Sequence, residues 1–515
     1  MKSSPLLTAL CFGLFAATAW ADPPPPAAAP GFFRAVLSPD AYEKEIGQLD
    51  QDRLDPAKIL ADGTPPFGTR MVSVTPGGPA DAAGVRPGWT LVRCDGREIW
   101  SRLQSWGNEG ASRDLVFVTP AGEEKPLHFK EKYIQIEGQD SLRLEHVLLQ
   151  SVPRGPWDRD LAAVSQCWTR GWHDLAETAL NHAVAKGMPT SPCTDYYTAL
   201  LALDRGNLDL ARSMKDAVVK AVAPKGAIPH FYYDGLLALA LAFNDIFLLE
   251  RCARESEGWD GMLQPAQVEG WRRQGFGDLT KSLLPYALAH AGEDVSGSVV
   301  APKDGFESEF SMFDPRNAKK NYWCSAPVGK YNGLCFTGPE PMHDLIWEIK
   351  GMYGDAPEAG RHNFYINLFD AKVRRESEDK SWDKPLNSFL PSIFAINDGS
   401  PIRTLTFFCG TAAGNMENRR NLPHLTQEET AKLSADFRNH VEIKAPNEAH
   451  VFDFKFICIG KQVEVLMNGA PVMHVPIGPE VQDIGCEFRF SGCEAYIFSS
   501  SLRPIKSDAP PADGH

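Results

Sequence analysis

Apolar and polar positions change rhythm several times along the chain. From Leu6 to Ala17 the run is mostly apolar. A short helix is expected around Ala41 to Leu49, inside the loosely patterned stretch Phe32 to Ala61. Strand and turn signals then follow closely. Phe67 to Thr75 places Met71 or Val72 and Val74 in a strand, Pro76-Gly77-Gly78-Pro79 turns the chain, and Ala80 to Ala83 makes one helical turn closed by Gly84 at a left-handed C-cap position. A strand over Thr90 to Arg93, an Asp95-Gly96 turn, a helix near Ser101 to Trp106 and strands over Leu115 to Thr119 and Leu127 to Lys130 complete this part. From Asp158 to Gly292 the apolar spacing becomes three and four, which predicts helices. After Ser296 to Gly305, read as a linker, short strands return: Leu345 to Ile349, Phe364 to Phe369, Thr404 to Phe408, Val451 to Ile459, Val463 to Met467, Cys486 to Phe490 and Ala495 to Ser499.

The firmest of these is the hairpin in which Phe452, Phe454, Phe456 and Cys458 alternate on one face, Gly460-Lys461 turns, and Val463 to Met467 returns to Asn468-Gly469. The helical part contains an internal repeat. Arg170-Gly171-Trp172-His173-Asp174-Leu175-Ala176 is matched by Arg205-Gly206-Asn207-Leu208-Asp209-Leu210-Ala211, with a weaker echo at Asn244 to Cys252.

The apolar run near the start has the build of a cleavable secretory signal. Lys2 supplies a positive n-region, and Ala19-Trp20-Ala21 gives the small-x-small pattern that places cleavage before Asp22. The run is short of the roughly 20 residues of a spanning helix. Thr8 and Leu10 do not make a lipobox before Cys11, and Asp22 to Gly31 reads as a proline-rich spacer. Export implies a periplasmic or extracellular protein without a membrane span. The 515 residues carry a net charge of −14 with no basic block, which argues against a nucleic-acid partner. That length predicts about two to four domains. Of 11 cysteines, Cys486 with Cys493 and Cys324 with Cys335 are close enough in sequence to be candidate disulfides in an oxidising compartment, although spacing cannot settle connectivity.

The order PGGPADAAGVRPGWTLVRCDG, residues 76–96, resembles a PDZ domain of the bacterial exported type, extending over Leu54 to Lys130. The resemblance implies an extended peptide bound as an added strand. Trp89 stands where the family has Asp, and Asp62 to Pro66 lacks the glycine-hydrophobic carboxylate loop. The helical repeat, with Gly171, Ala176, Leu180, Ala183 and Pro189 near the family's small and apolar positions, resembles tetratricopeptide repeats, over 140–295; Lys215 and Val218 depart from that pattern. The resemblance implies a concave surface for a partner peptide. Residues 306–505 resemble concanavalin A-like, laminin G-like jelly rolls, and in particular the exported 3-keto-disaccharide hydrolase-like domain, on KFICIGKQVEVLMNGAPVMHV, on IGCEFRFSGCEAYIFSSSLRPI and on the run from Gly333 to Ile349. The tail 506–515 is expected to be disordered.

The expected fold class is therefore multidomain: a PDZ-like β/α module, an α-helical repeat region and a C-terminal β-sandwich. Chemistry is sparse. Glu348 beside Trp347 is a strand carboxylate without a partner nearby in sequence and is read as solvent-facing; His343, His362 and His474 are isolated. No paired-carboxylate, zinc, nucleophile-elbow or phosphate-loop motif occurs in the sequence, and no cofactor or metal is expected. Trp323, Tyr331 and Trp382 are the candidate ligand-binding residues, because sugar rings stack on aromatic faces; Trp347 reads as core. These readings lead to a non-catalytic adaptor joining a protein or peptide partner to a glycan or a second protein. The alternative is a carbohydrate-active hydrolase or lyase with its site on the sandwich.

Overall fold

The computed structural model describes residues 37–61, 65, 67–99, 112–130, 136–140, 143–222, 228–256, 265–273, 276, 282–295, 322–325, 332–336, 341–355, 362–371, 391–397, 404–411, 414–421, 424–425, 449–460, 462–477, 481–491 and 493–506. The signal-like segment, the proline-rich spacer, the helix expected at Ser101 to Trp106, the linker after Ser296 and the tail beyond Lys506 lie outside them.

Helix α1 (Pro39–Ile46) begins ahead of the expected Ala41 because Ser38 accepts the Ala41 N–H and Pro39 occupies the first helical turn. A 3-10 turn (Gln51–Arg53) and α2 (Pro56–Ala61) follow. These elements pack on helices that come much later in the chain. Tyr42 donates its hydroxyl to Asp160 at 2.8 Å, Arg53 meets Glu145 at 3.1 Å, and Leu54 and Ile59 share a core cluster with Leu148 and Leu149.

Between α2 and those helices stands a small sheet built from β1 (Thr69–Val74), β2 (Thr90–Cys94), β3 (Arg97–Glu98), β4 (Arg113–Val118), β5 (Glu124–Phe129) and β6 (Ile136–Asp140), with the single turn α3 (Pro79–Ala82) after β1. Its order is β5-β4-β2-β1-β6, with β3 paired to β2. Met71, Ala80, Val85, Leu91, Phe117 and Phe129 form its own core. Asp95 and Gly96 both take positive φ, +50° and +79°, so the predicted turn is a tight hairpin. Strand β6 has no counterpart in the sequence reading: Glu137, Gly138, Gln139 and Asp140 are poor strand formers, and pairing with β1 extends them. Thr69 at the start of β1 faces Asp140 at the end of β6, so the chain enters and leaves this sheet side by side.

The helices are α4 (Leu144–Ser151), α5 (Asp158–Thr169), α6 (His173–Ala185), α7 (Pro192–Asp204), α8 (Leu208–Val222), α9 (His230–Phe243), α10 (Ile246–Ser256), α11 (Pro265–Arg273) and α12 (Leu284–His290). The repeat seen in the sequence marks three helical hairpins. Gly171 and Gly206, each at φ +73°, and Asn244 at φ +54° turn α5 into α6, α7 into α8 and α9 into α10, a conformation that glycine and asparagine adopt at least cost. Lys215, at a position where the repeat pattern wants a small residue, is only 5% exposed and is accommodated by an ion pair with Asp245 and by the Phe243 ring 5.9 Å from its ammonium.

The remaining strands are β7 (Tyr322–Ser325), β8 (Asn332–Phe336), β9 (Leu345–Asp355), β10 (His362–Asp370), β11 (Pro391–Asn397), β12 (Thr404–Thr411), β13 (Gly414–Asn421), β14 (His424–Leu425), β15 (Ala449–Ile459), β16 (Gln462–Met467), β17 (Ala470–Pro476), β18 (Ile484–Ser491) and β19 (Cys493–Pro504). They form a six-stranded sheet, β13-β12-β11-β10-β18-β8, and a seven-stranded one, β17-β16-β15-β9-β19-β7 with β14 on β15, antiparallel in every pairing. The alternating Phe452, Phe454, Phe456 and Cys458 line the space between them, and Phe452 reaches Phe488 of the opposite sheet with ring centroids 6.1 Å apart. The predicted turn at Asn468-Gly469 is present, with φ +54° and +82°. Strand β13 reads Gly-Asn-Met-Glu-Asn-Arg-Arg-Asn, without apolar alternation, and only its pairing with β12 reveals it. No described helix is long and apolar enough to cross a membrane.

Candidate functional site

Part of the sandwich surface is taken up by the rest of the chain. All seven residues of β17 are buried, although strand alternation gives the sandwich core only every second one. Helices α7 and α9 pack against β17, and α9 and α11 also reach β13 at the same edge of the other sheet. Helices α7, α9 and α11 thus meet the sandwich at this edge.

Polar contacts from two sandwich residues, His474 and Glu464, lock this junction. Asn244, the left-handed residue after α9, lies 3.3 Å from His474 Nδ1, and His474 Nε2 lies 3.0 Å from Gln462 Oε1. Glu464, opposite His474 in the β16–β17 register, accepts the Leu283 N–H at 2.6 Å and the Ser282 hydroxyl at 3.0 Å, capping α12. Burial lowers the His474 pKa to about 4 and raises that of Glu464 against those two donors. Helix α12 covers Ile346, Ile457 and Leu466 on the outer face of the seven-stranded sheet through Ala287.

The rest of that face carries a charge ladder. Glu348 on β9 is held by Lys455 of β15 and by Arg503 of β19, each at 2.7 Å, and Lys350 meets Asp453 at 2.7 Å. Glu348 is thus half-buried and saturated, where the sequence reading had it facing solvent. Burial works against its charge, but Lys455, Arg503 and the Ser501 hydroxyl together hold its pKa below the ordinary carboxylate value. A group tuned in that direction is a poor general acid.

The six-stranded sheet offers a different surface. Cys486 and Phe488 of β18 lie in the core, so Glu487 between them belongs to the face turned away from it. In register across the six strands with Glu487 are Cys335, Asn367, Ser392, Phe408 and Glu417. The adjacent row on the same face holds Gly333, Arg489, Tyr365, Phe394, Thr406 and Arg419. Glu487 is 5% exposed, and its Oε2 accepts from Asn367 Nδ2 at 3.4 Å. Beside this pair the Phe369 ring lies so close over Gly485 that a Cβ there would come within 2.3 Å of it.

Glu487 and Asn367 were absent from the candidates drawn from sequence. The alternation of Cys486, Phe488 and Phe490 around Glu487 was visible, but its burial was not. Among the residues that were named, Trp323 lies on β7, where only the backbone is described, and Tyr331 and Trp382 lie outside the described residues. Trp347 is fully buried, stacked on Phe456 at 5.1 Å, with its indole N–H donating to Ser500. His343 sits 2.8 Å from Asp344, and His362 begins β10. The strands carrying Cys486 and Cys493, consecutive in sequence, belong to opposite sheets, as do those carrying Cys324 and Cys335. On the small sheet, the edge of β1 is occupied by β6.

No family model and no curated protein matches the chain. Among solved structures it is similar to galectin LEC-6 of Caenorhabditis elegans, at 11% identity over 35% of this chain and 94% of that one, TM-score 0.19. It is also similar to the carbohydrate binding module CBM66 from Bacillus subtilis, at 9% identity over 36% and 92%, TM-score 0.20. A third similarity is to a prokaryotic beta-1,3-1,4-glucanase (lichenase) derived from a mouse hindgut metagenome, at 8% identity over 36% and 79%, TM-score 0.21.

Proposed function

We propose that this chain is an exported, non-catalytic binding protein whose sandwich takes a glycan on the outer face of its six-stranded sheet. The observation that carries this reading is the pair of register rows that cross all six strands and set Glu487, Asn367 and Arg489 among the aromatic positions Tyr365, Phe394 and Phe408. Residues of this kind recognise sugars: polar groups meet hydroxyls, and aromatic faces meet the apolar face of the ring. Glu348, on the other sheet, is committed to two cations and is no candidate acid for the alternative hydrolase. In this reading the helical hairpins are tetratricopeptide-like and serve as a cradle for the sandwich edge, consistent with the packing of α7 and α9 on β17. The small sheet is a PDZ-like module for a protein partner. With β6 already paired to β1, a partner strand would add at β6.

The test is binding of the purified full chain to an immobilised glycan panel, together with an assay for released reducing sugar. Retention of a glycan without its cleavage is the expected result. Cleavage, or no retention of any glycan, overturns the proposal.

A further inference from the structure

His474 and Glu464 stand directly opposite each other in the β16–β17 register. Opposite residues of an antiparallel pair share a face and bring their Cβ atoms within about 5 Å of each other. Both are buried, yet each holds a different part of the helical region. The Asn244 amide nitrogen donates to His474 Nδ1 at 3.3 Å, and His474 Nε2–H donates to Gln462 Oε1 at 3.0 Å. That is a full set of partners for a neutral imidazole with its proton on Nε2. A second proton, on Nδ1, would aim one donor at another, the amide nitrogen of Asn244. Glu464 meanwhile spends its carboxylate on the Ser282 hydroxyl and the Leu283 N–H ahead of α12.

The remaining charges at this junction are distant or committed. Apart from β16, the elements packed on β17 are β12, which carries no charged residue, α7, which carries Asp195 and Asp204, and α9, which carries His230 and Asp234. Asp195 is in the first turn of α7, Asp204 is held by His173 at 2.5 Å, Asp234 is exposed ten residues before Asn244, and Asp245 is paired with Lys215 of α8. Glu464 is the carboxylate in register with His474, and β16 and β17 carry no other charged residue.

We propose that the junction is an acid-operated latch in which His474 and Glu464 exchange partners: the protonated imidazole takes the Glu464 carboxylate, and the turn at Asn244 and the start of α12 are released from the seven-stranded sheet together. The pair takes up one proton from solvent and holds it as a unit. In the latched form each group keeps its own helical partner, and burial without a counter-charge works against an imidazolium. In the exchanged form each supplies the other's counter-charge, so acid favours release. The latch is independent of what the sandwich binds.

The experiment follows amide hydrogen exchange of the full chain by mass spectrometry at pH 7 and pH 5, with rates corrected for the intrinsic effect of pH. Expected is a rise of about tenfold or more in corrected exchange at the start of α10 and in α12 on going to pH 5, with the two segments moving together and β10 and β18 unchanged. His474→Gln and Glu464→Gln should each abolish the rise, compared within one protein as a ratio between the two pH values. A rise that persists in His474→Gln overturns the latch, and one that persists in Glu464→Gln overturns the exchange of partners. The wild type decides by itself where a variant does not fold: no rise, as when Asn244 turns its amide to offer Oδ1, a rise confined to one of the two segments, or an equal rise throughout the sandwich overturns the proposal.

Discussion

Asn244, the residue that turns α9 into α10, approaches His474 of β17 at 3.3 Å, so a hydrogen bond at a left-handed turn joins the helical hairpins to the sandwich strand on which α7 and α9 pack. Replacing Asn244 by Gly keeps the turn and removes the amide. A loss of about 1 kcal/mol is expected from chemical denaturation, and Asn244→Ala should lose more because alanine also pays for φ +54°.

The same junction predicts acid sensitivity. The His474 pKa is lowered to about 4, so the unfolded chain takes up this proton near the ordinary value of about 6.5, before the folded one does. Stability should fall as pH drops through that window, by up to about 3 kcal/mol, and level off below it. Glu464, raised by burial, acts in the opposite sense, since the folded state binds its proton more readily. His474→Gln should therefore flatten the acid limb of a stability profile measured by denaturant titration between pH 7 and 4.

Glu348→Gln tests the charge ladder. It leaves Lys455 and Arg503 without their shared carboxylate. A partly exposed pair of this kind is expected to be worth about 1 kcal/mol, shrinking with added salt, and the substitution should not alter retention on the glycan panel.

Gly485 should tolerate no side chain. Gly485→Ala drives a Cβ to 2.3 Å from the Phe369 ring, and overpacking of this sort costs about 1–3 kcal/mol. Phe369→Leu in the same protein should recover part of the loss in thermal melting.

Thiol reactivity reports the cores. Cys94, Cys167, Cys193 and Cys458 are buried and unbridged, and burial together with Asp95 pushes the Cys94 thiol up to about 11. All four should resist iodoacetamide in the native protein and react on unfolding, as read by mass spectrometry. Rapid native labelling of Cys458 would contradict its place between the sheets.

Local chemistry determined a good share of this protein. The Phe452 to Cys458 alternation, the Asn468-Gly469 turn and the repeat at Gly171, Gly206 and Asn244 all act within a few residues, through pleat, left-handed backbone and helix period. Each appears in the structure where the pattern placed it. The long-range features were decided elsewhere. Strand β6 exists because β1 offers it an edge, β17 is buried on both faces because α7 and α9 cover it, and α1 and α2 leave the small sheet for helices about a hundred residues further on. Glu487 belongs with these. Alternation assigns it to a face, but only the tertiary structure buries it with an oxygen unmet, because desolvation is set by everything that gathers around a residue and not by its neighbours in sequence.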